Sequence, residues 1–261
     1  MIKFLIITQP RSGSAWFMSC LNSHPHIYCP RQPTLFSKYN LSPFKWFRPA
    51  FLQVDKPISP YYKYRSSSLK KQITHWLNRN RLIYEFLSEL YAENHNVEAI
   101  GFKVNYSQIK RYSVISLWIK QNDIKIIHLI RSNLLKRLVS HKIANIRDLR
   151  HSTQSVMPVK VHIDPGVLVD DFRRRQNRFA KYRKRIVEVF GAPLLEVEYE
   201  SLTADFELEM HKVMKFIEID ELIPLTSDFV KVNPDSLEEI IENYDEVKRT
   251  LKNTEFAKFM N

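Results

Sequence analysis

An arginine, two serines and a glycine lie between Pro10 and Trp16, and together they are suited to holding a phosphate. The run reads Pro10-Arg11-Ser12-Gly13-Ser14-Ala15-Trp16. It follows Ile2 to Thr8, an apolar stretch without polar alternation that predicts a buried strand. Ala15 to Leu21 predicts the helix that comes next. Strand, tight polar turn and helix together aim backbone N–H groups and the positive end of a helix at an anion. The arginine adds charge, the two hydroxyls add donors, and Trp16 offers a flat surface for stacking. A Walker A loop is excluded, because that motif needs a second Gly followed by Lys and Ser or Thr, and no such run occurs here.

The loop resembles the 5′-phosphosulfate-binding loop of sulfotransferases that use 3′-phosphoadenosine 5′-phosphosulfate (PAPS). A second strand, Ile124 to Ile130, runs into Arg131-Ser132-Asn133 and then a helix carrying Ser140. That arrangement resembles the family's 3′-phosphate motif, and an arginine fork beside a helix hydroxyl can grip a phosphomonoester. The interval from Arg131 to Ser140 is one residue longer than in the animal cytosolic enzymes, so Ser132 is a second candidate for the same role. Ile100-Gly101-Phe102-Lys103-Val104 resembles the strand that delivers a lysine to the active site, and Val197 to Leu202 resembles the family's Tyr-Glu-Asp-Leu segment. Ser236 to Val247 resembles the C-terminal helix of bacterial members such as carbohydrate and Nod-factor sulfotransferases.

The resemblance implies a reaction and a set of roles. A sulfuryl group passes from PAPS to a nucleophile, leaving adenosine 3′,5′-bisphosphate, with no metal required. Arg11 and Lys103 are the expected catalytic cations. Ser12, Gly13, Ser14 and Ala15 are expected to hold the 5′-phosphate through backbone N–H groups. Trp16 is expected to pack on adenine, and Arg131, Ser140 and Tyr199 to complete the nucleotide site. The general base is missing from its usual places: Gln32 and Asn105 stand where relatives carry Glu or His, and an amide cannot take a proton at neutral pH. His24, His26, His141, Asp55, Asp170 and Asp171 are the substitute candidates. A nitrogen or other unusual acceptor would relieve the need for a base, and the chain is also similar to cyanobacterial sulfotransferases of saxitoxin-type guanidinium alkaloids. The acceptor reading is therefore a small specialised metabolite, with a carbohydrate or lipo-oligosaccharide hydroxyl as the alternative.

These residues need a scaffold. Predicted strands at 2–8, 97–104, 124–130 and 193–199 alternate with predicted helices at 15–22, 68–93, 107–121, 133–147, 166–190, 205–217 and 236–258. That alternation gives an α/β fold: one domain over residues 1–261, P-loop-like, with a central parallel sheet flanked by helices on both faces. Residues 30–65, rich in Pro and aromatics, read as an acceptor-site lid. A chain of 261 residues with 44% hydrophobic content fills one such domain.

Two cysteines imply free thiols and a reducing compartment. No stretch is long and apolar enough for a membrane span, and the short apolar start leaves no room for an anchor ahead of the loop. A cytoplasmic enzyme of bacterial type follows. The net charge is +12, yet residues 196–246 hold 16 acidic residues against three lysines. A basic cleft for an anionic nucleotide accounts for the excess elsewhere. The competing account is a basic nucleotide- or nucleic-acid-binding protein without catalysis, on the strength of Arg173 to Arg185. Phe172, Phe179, Tyr182 and Ile186 fall at helical spacing within that run, so it reads instead as an amphipathic helix with a solvated basic face. Oligomeric state is not legible in the sequence.

Overall fold

The apolar segments become a five-stranded parallel sheet with the order β2-β3-β1-β4-β5. A computed structural model describes residues 1–29, 79–92, 96–111, 113–147, 159–229 and 236–260. The proposed lid at 30–65, with Gln32 and Asp55, lies outside the described residues, as does the first part of the helix predicted at 68–93.

In chain order the elements are β1 (Ile2–Thr8), α1 (Ser14–Asn22), β2 (Ile27–Tyr28), α2 (Arg79–Ala92), β3 (Ala99–Asn105), α3 (Tyr106–Arg111), α4 (Ser113–Gln121), β4 (Lys125–Ile130) and α5 (Leu134–Arg147). They continue with α6 (Leu168–Arg185), which ends in a π-helical turn over Ile186–Phe190, then β5 (Leu194–Glu198), α7 (Tyr199–Ala204), α8 (Phe206–Phe216), α9 (Leu237–Ile240), α10 (Tyr244–Leu251) and a 3₁₀ turn over Ala257–Met260.

Because every strand is parallel and central strands are covered on both faces, they read as continuous apolar runs. Leu5 and Ile7 face one layer, packing with Phe102, Trp118 and Ile186. Phe4 and Ile6 face the other, packing with Phe17, Val197 and Met214. A third cluster joins α5, the start of α6, α9, α10 and the final turn through Leu135, Phe172, Val247 and Phe256. Each such buried side chain contributes about 1.5–3 kcal/mol of burial free energy. Gly101 has a packing reason: a Cβ there would lie 2.3 Å from the Phe4 ring on the neighbouring strand.

The register levels the carboxyl ends of the strands. Thr8 pairs with Asn105 on one side and Leu129 on the other, and Ile130 pairs with Glu198. Ligands bind at this edge of open α/β sheets, and both expected phosphate motifs start there.

Three predicted helices differ. The one expected at 107–121 is two helices, α3 and α4. The one expected at 236–258 is broken at Ile241, because Val161 pairs with Ile241 and takes the chain out of helical geometry. Val161 N–H donates to the Ile240 carbonyl, Glu242 N–H donates to the Val161 carbonyl, and Asn243 bonds Ile163 in both directions. The helix predicted over 166–190 starts at Leu168 and widens into its π turn before Gly191, whose φ is 58°.

Candidate active site

The turn after β1 is held by its own hydroxyls. Thr8 donates to the Leu129 carbonyl at 2.7 Å, and the Thr8 and Ser12 hydroxyls bond each other. Ser12 is 1% exposed and also lies 2.8 Å from the Gln9 carbonyl, so its side chain braces the loop. Arg11 and Gly13 both adopt left-handed backbone, with φ of 67° and 79°. That geometry turns successive N–H groups toward one point, the usual shape of an anion cradle. Among the described residues, no carbonyl or side chain accepts from the amides of Ser12 to Ala15. At Gly13 a Cβ would lie 2.3 Å from the Tyr199 ring, so the loop sits flat on that ring.

The two expected phosphate motifs meet. Arg11 Nε and Nη2 donate to the Ser140 hydroxyl at 3.0 and 2.9 Å. Arg131 Nη1 donates to the Arg11 carbonyl at 3.2 Å, and its guanidinium lies 4.6 Å above the Tyr199 ring centre. Trp16 packs edge-on to Tyr199 at 6.0 Å and against Phe206 at 5.4 Å. Arg11, Ser12, Gly13, Trp16, Arg131, Ser140 and Tyr199 therefore form one cluster at the ends of β1, β4 and β5. Tyr199 opens α7 instead of closing β5, which turns its ring under the loop.

Ser132 has a different task. Its N–H and that of Asn133 each donate at 3.0 Å to one oxygen of the Glu200 carboxylate. Asn133 then caps α5 by accepting from Lys136 N–H at 2.9 Å. A protein carboxylate thus holds the amides at the start of α5, leaving Arg131 and Ser140 as that motif's side-chain donors.

Lys103 reaches the loop: its Nζ lies 3.3 Å from Ser14 Oγ. Asn105 sits at the start of α3, where Gln108 reaches back to accept its N–H at 2.5 Å, as in a capping box. His24 and His26 are at the opposite edge of the sheet, since Ile27 pairs with Ala99 at the amino end of β3. The length of β3 puts them about 20 Å from the loop, and His26 is held between Glu98 and Glu221 at 3.0 and 3.1 Å. Asp171 is paired with Arg175 at 2.5 Å. Asp170 is exposed near Arg173, and His141 is exposed on α5. None of these is placed at the loop.

Sequence reasoning passed over a buried relay. His128, fully buried in β4, bonds the Tyr106 hydroxyl through Nε2 and lies 3.0 Å from Glu196 Oε1 through Nδ1. Arg183 grips both oxygens of Glu196 at 2.7 and 2.6 Å. A carboxylate only accepts, so Nδ1 carries the proton and Tyr106 donates to Nε2. The one signal was a lone His in an apolar strand, and the Glu196 partner depends on strand pairing that the sequence does not display.

Burial holds the His128 pKa below its ordinary value, against the opposing pull of Glu196. The native protein therefore keeps His128 neutral at pH values where the unfolded chain takes up a proton. Stability is full above about pH 6.5 and declines below it until the lowered folded pKa is passed, by at most about 1.4 kcal/mol per pH unit. For a chain of this size that is about 3–6 °C of Tm per unit. Thermal melts from pH 7 to 5 should show this decline, and His128→Gln should flatten it. An equally steep decline in the variant would assign it to other groups.

Residues 4–223 match the family model described as "Sulfotransferase family". No curated protein matches the sequence. The crystal structure of a sulfotransferase from Alicyclobacillus acidocaldarius is similar at 14% identity and a TM-score of 0.50, over 100% of this chain and 96% of that one. The sulfotransferase domain of the Synechococcus olefin synthase is similar at 16% identity and a TM-score of 0.48, over 97% and 88%. At such identity the first of these likenesses speaks for the fold alone.

Proposed function

Because the chain belongs to the sulfotransferase family, we propose that it moves a sulfuryl group from PAPS to a hydroxyl or nitrogen of a small specialised metabolite, releasing adenosine 3′,5′-bisphosphate. The observation that carries this reading is the pair of hydrogen bonds from Arg11 to Ser140. They join two motifs, far apart in sequence, that suit the two phosphates of a single nucleotide.

The amides of Ser12 to Ala15 would take the 5′-phosphate, Arg131 and Ser140 the 3′-phosphate, and Trp16 and Tyr199 would flank the base. In the transfer, the bond from sulfur to the bridging phosphate oxygen breaks as a bond from the acceptor to sulfur forms. The electron pair stays with the leaving phosphate, where Arg11 and Lys103 supply positive charge to the developing anion. The acceptor's proton goes to a base outside the side chains of this cluster or to water.

An amide, Asn105, stands where a base is expected and its N–H is bound into the α3 cap, which supports an acceptor other than a simple sugar hydroxyl, such as a nitrogen of a saxitoxin-type guanidinium alkaloid. Both cysteines are buried free thiols, which suits a reducing cytoplasm. Among the described residues no helix is long and apolar enough to cross a membrane.

The test has two parts. Calorimetry should show adenosine 3′,5′-bisphosphate binding about 100-fold more tightly than adenosine 5′-phosphate, as expected from two added charge-assisted hydrogen bonds. Transfer of radiolabelled sulfate from PAPS should then yield product with guanidinium alkaloids or phenols. Equal binding of the two nucleotides would remove PAPS as donor, and label found only on sugars would move the acceptor to a carbohydrate.

A further inference from the structure

A cleft of about 590 Å³ opens between the ends of β4 and β5, the start of α5 and the middle of α6. Arg131 borders it, but none of Arg11 to Trp16, Ser140 or Tyr199 does, so it lies across Arg131 from the phosphate loop. Arg137 lines this cleft and is only 8% exposed. Among the described residues its guanidinium makes no hydrogen bond and no ion pair.

Of the acids around it, Glu198 also lines the cleft but is exposed to solvent, and the others are engaged elsewhere. Glu196 is bound by Arg183, Glu200 by two amides, and Asp171 by Arg175. Burial pulls the Arg137 pKa down to about 10, and the neighbouring charges of Arg175 and Arg131 push the same way. A buried guanidinium with nothing to bond is costly, and its five donors fit an oxyanion in a planar fork. Lys258 adds a further cation to the wall beside Arg131 and Arg183, and Phe179 and Phe259 add apolar faces.

We propose that Arg137 is the receptor for an oxyanion group, a carboxylate, phosphate or sulfate, on a small molecule that enters this cleft separately from the nucleotide. The charged end would meet Arg137, and an apolar body would lie between Phe179 and Phe259. The site shares Arg131 and α5 with the nucleotide cluster, so the two ligands would sense each other through one helix.

Inorganic phosphate is the probe, added at constant ionic strength against chloride, with and without saturating adenosine 3′,5′-bisphosphate. At phosphate about tenfold above its dissociation constant, wild-type Tm should rise by about 3–6 °C in both conditions. Arg137→Met should melt above wild type in phosphate-free buffer, still bind the bisphosphate, and ignore phosphate once the bisphosphate is bound. Arg137→Lys keeps the charge without the fork and should show a weaker rise, which covers the case in which the methionine variant fails to fold. An absent rise in wild type, or an equal rise in wild type and both variants, overturns the site. A rise abolished by the bisphosphate assigns the anion to the nucleotide cluster and overturns a separate site. The loop after β1 is also suited to phosphate, so the difference between wild type and Arg137→Met, which share that loop, reads the cleft whatever the donor proves to be.

Discussion

Arg131→Ala should lower affinity for adenosine 3′,5′-bisphosphate by about 100-fold, and affinity for adenosine 5′-phosphate by no more than about threefold. Two charge-assisted hydrogen bonds to a phosphate, at about 1.5 kcal/mol or more each, give a loss of that size. The difference between the two nucleotides isolates the 3′-phosphate from any general loosening of the loop. Such loosening is expected to be small but real, because Arg131 also donates to the Arg11 carbonyl and stacks on Tyr199. Arg131→Lys should recover only part of the loss, since an ammonium has neither the fork nor the flat face. Calorimetry on the three proteins reads all of this. An equal loss for both nucleotides would remove Arg131 from the 3′-phosphate and leave it a structural brace.

Gly13→Ala should abolish measurable nucleotide binding while the far-ultraviolet circular dichroism stays that of the wild type. Two independent penalties fall on this one methyl. The added Cβ would stand 2.3 Å from two carbons of the Tyr199 ring, and φ of 79° is strained for any residue with a side chain. The strain alone costs about 1–2 kcal/mol, and the clash must move either the loop or the ring that supports Arg131. Adding Tyr199→Ala to Gly13→Ala relieves the clash and leaves the strain, so the double variant should regain some binding. If the single substitution binds normally, the loop does not need the flat approach to Tyr199.

The sequence made the scaffold readable wherever apolar runs were long. The strands at 2–8 and 124–130 and the turn at Pro10 to Trp16 all stand close to where pattern and glycine placement put them. Arg11, Arg131, Ser140 and Tyr199 were each readable as types at intervals, and the structure brings them together. What escaped depends on pairing between distant segments. The two-residue β2 is too short to leave a period, and the break at Ile241 comes from a bridge to Val161. His24 and His26 looked suitable by type, but parallel pairing put them at the far edge. The Glu196 partner of His128 and the carboxylate of Glu200 likewise come from neighbouring strand ends, which local chemistry does not reveal.

The hydrogen bonds that close the cluster around Arg11 and Glu200 span very long loops. Arg11 and Ser140 are 129 residues apart, and Ser132 and Glu200 are 68 apart. Loop closure on that scale is slow and comes late, since the entropy of the connecting chain must be lost before any contact forms. A nascent or partly folded chain that has not yet paired β5 with β4 lacks the ring beneath the loop and the carboxylate beneath α5. On the proposed reading the bisphosphate should bind the completed topology and nothing earlier, and so should draw the folding equilibrium toward that state. Its uptake during refolding times the arrival of the last strand, where circular dichroism would report the helices that formed before it.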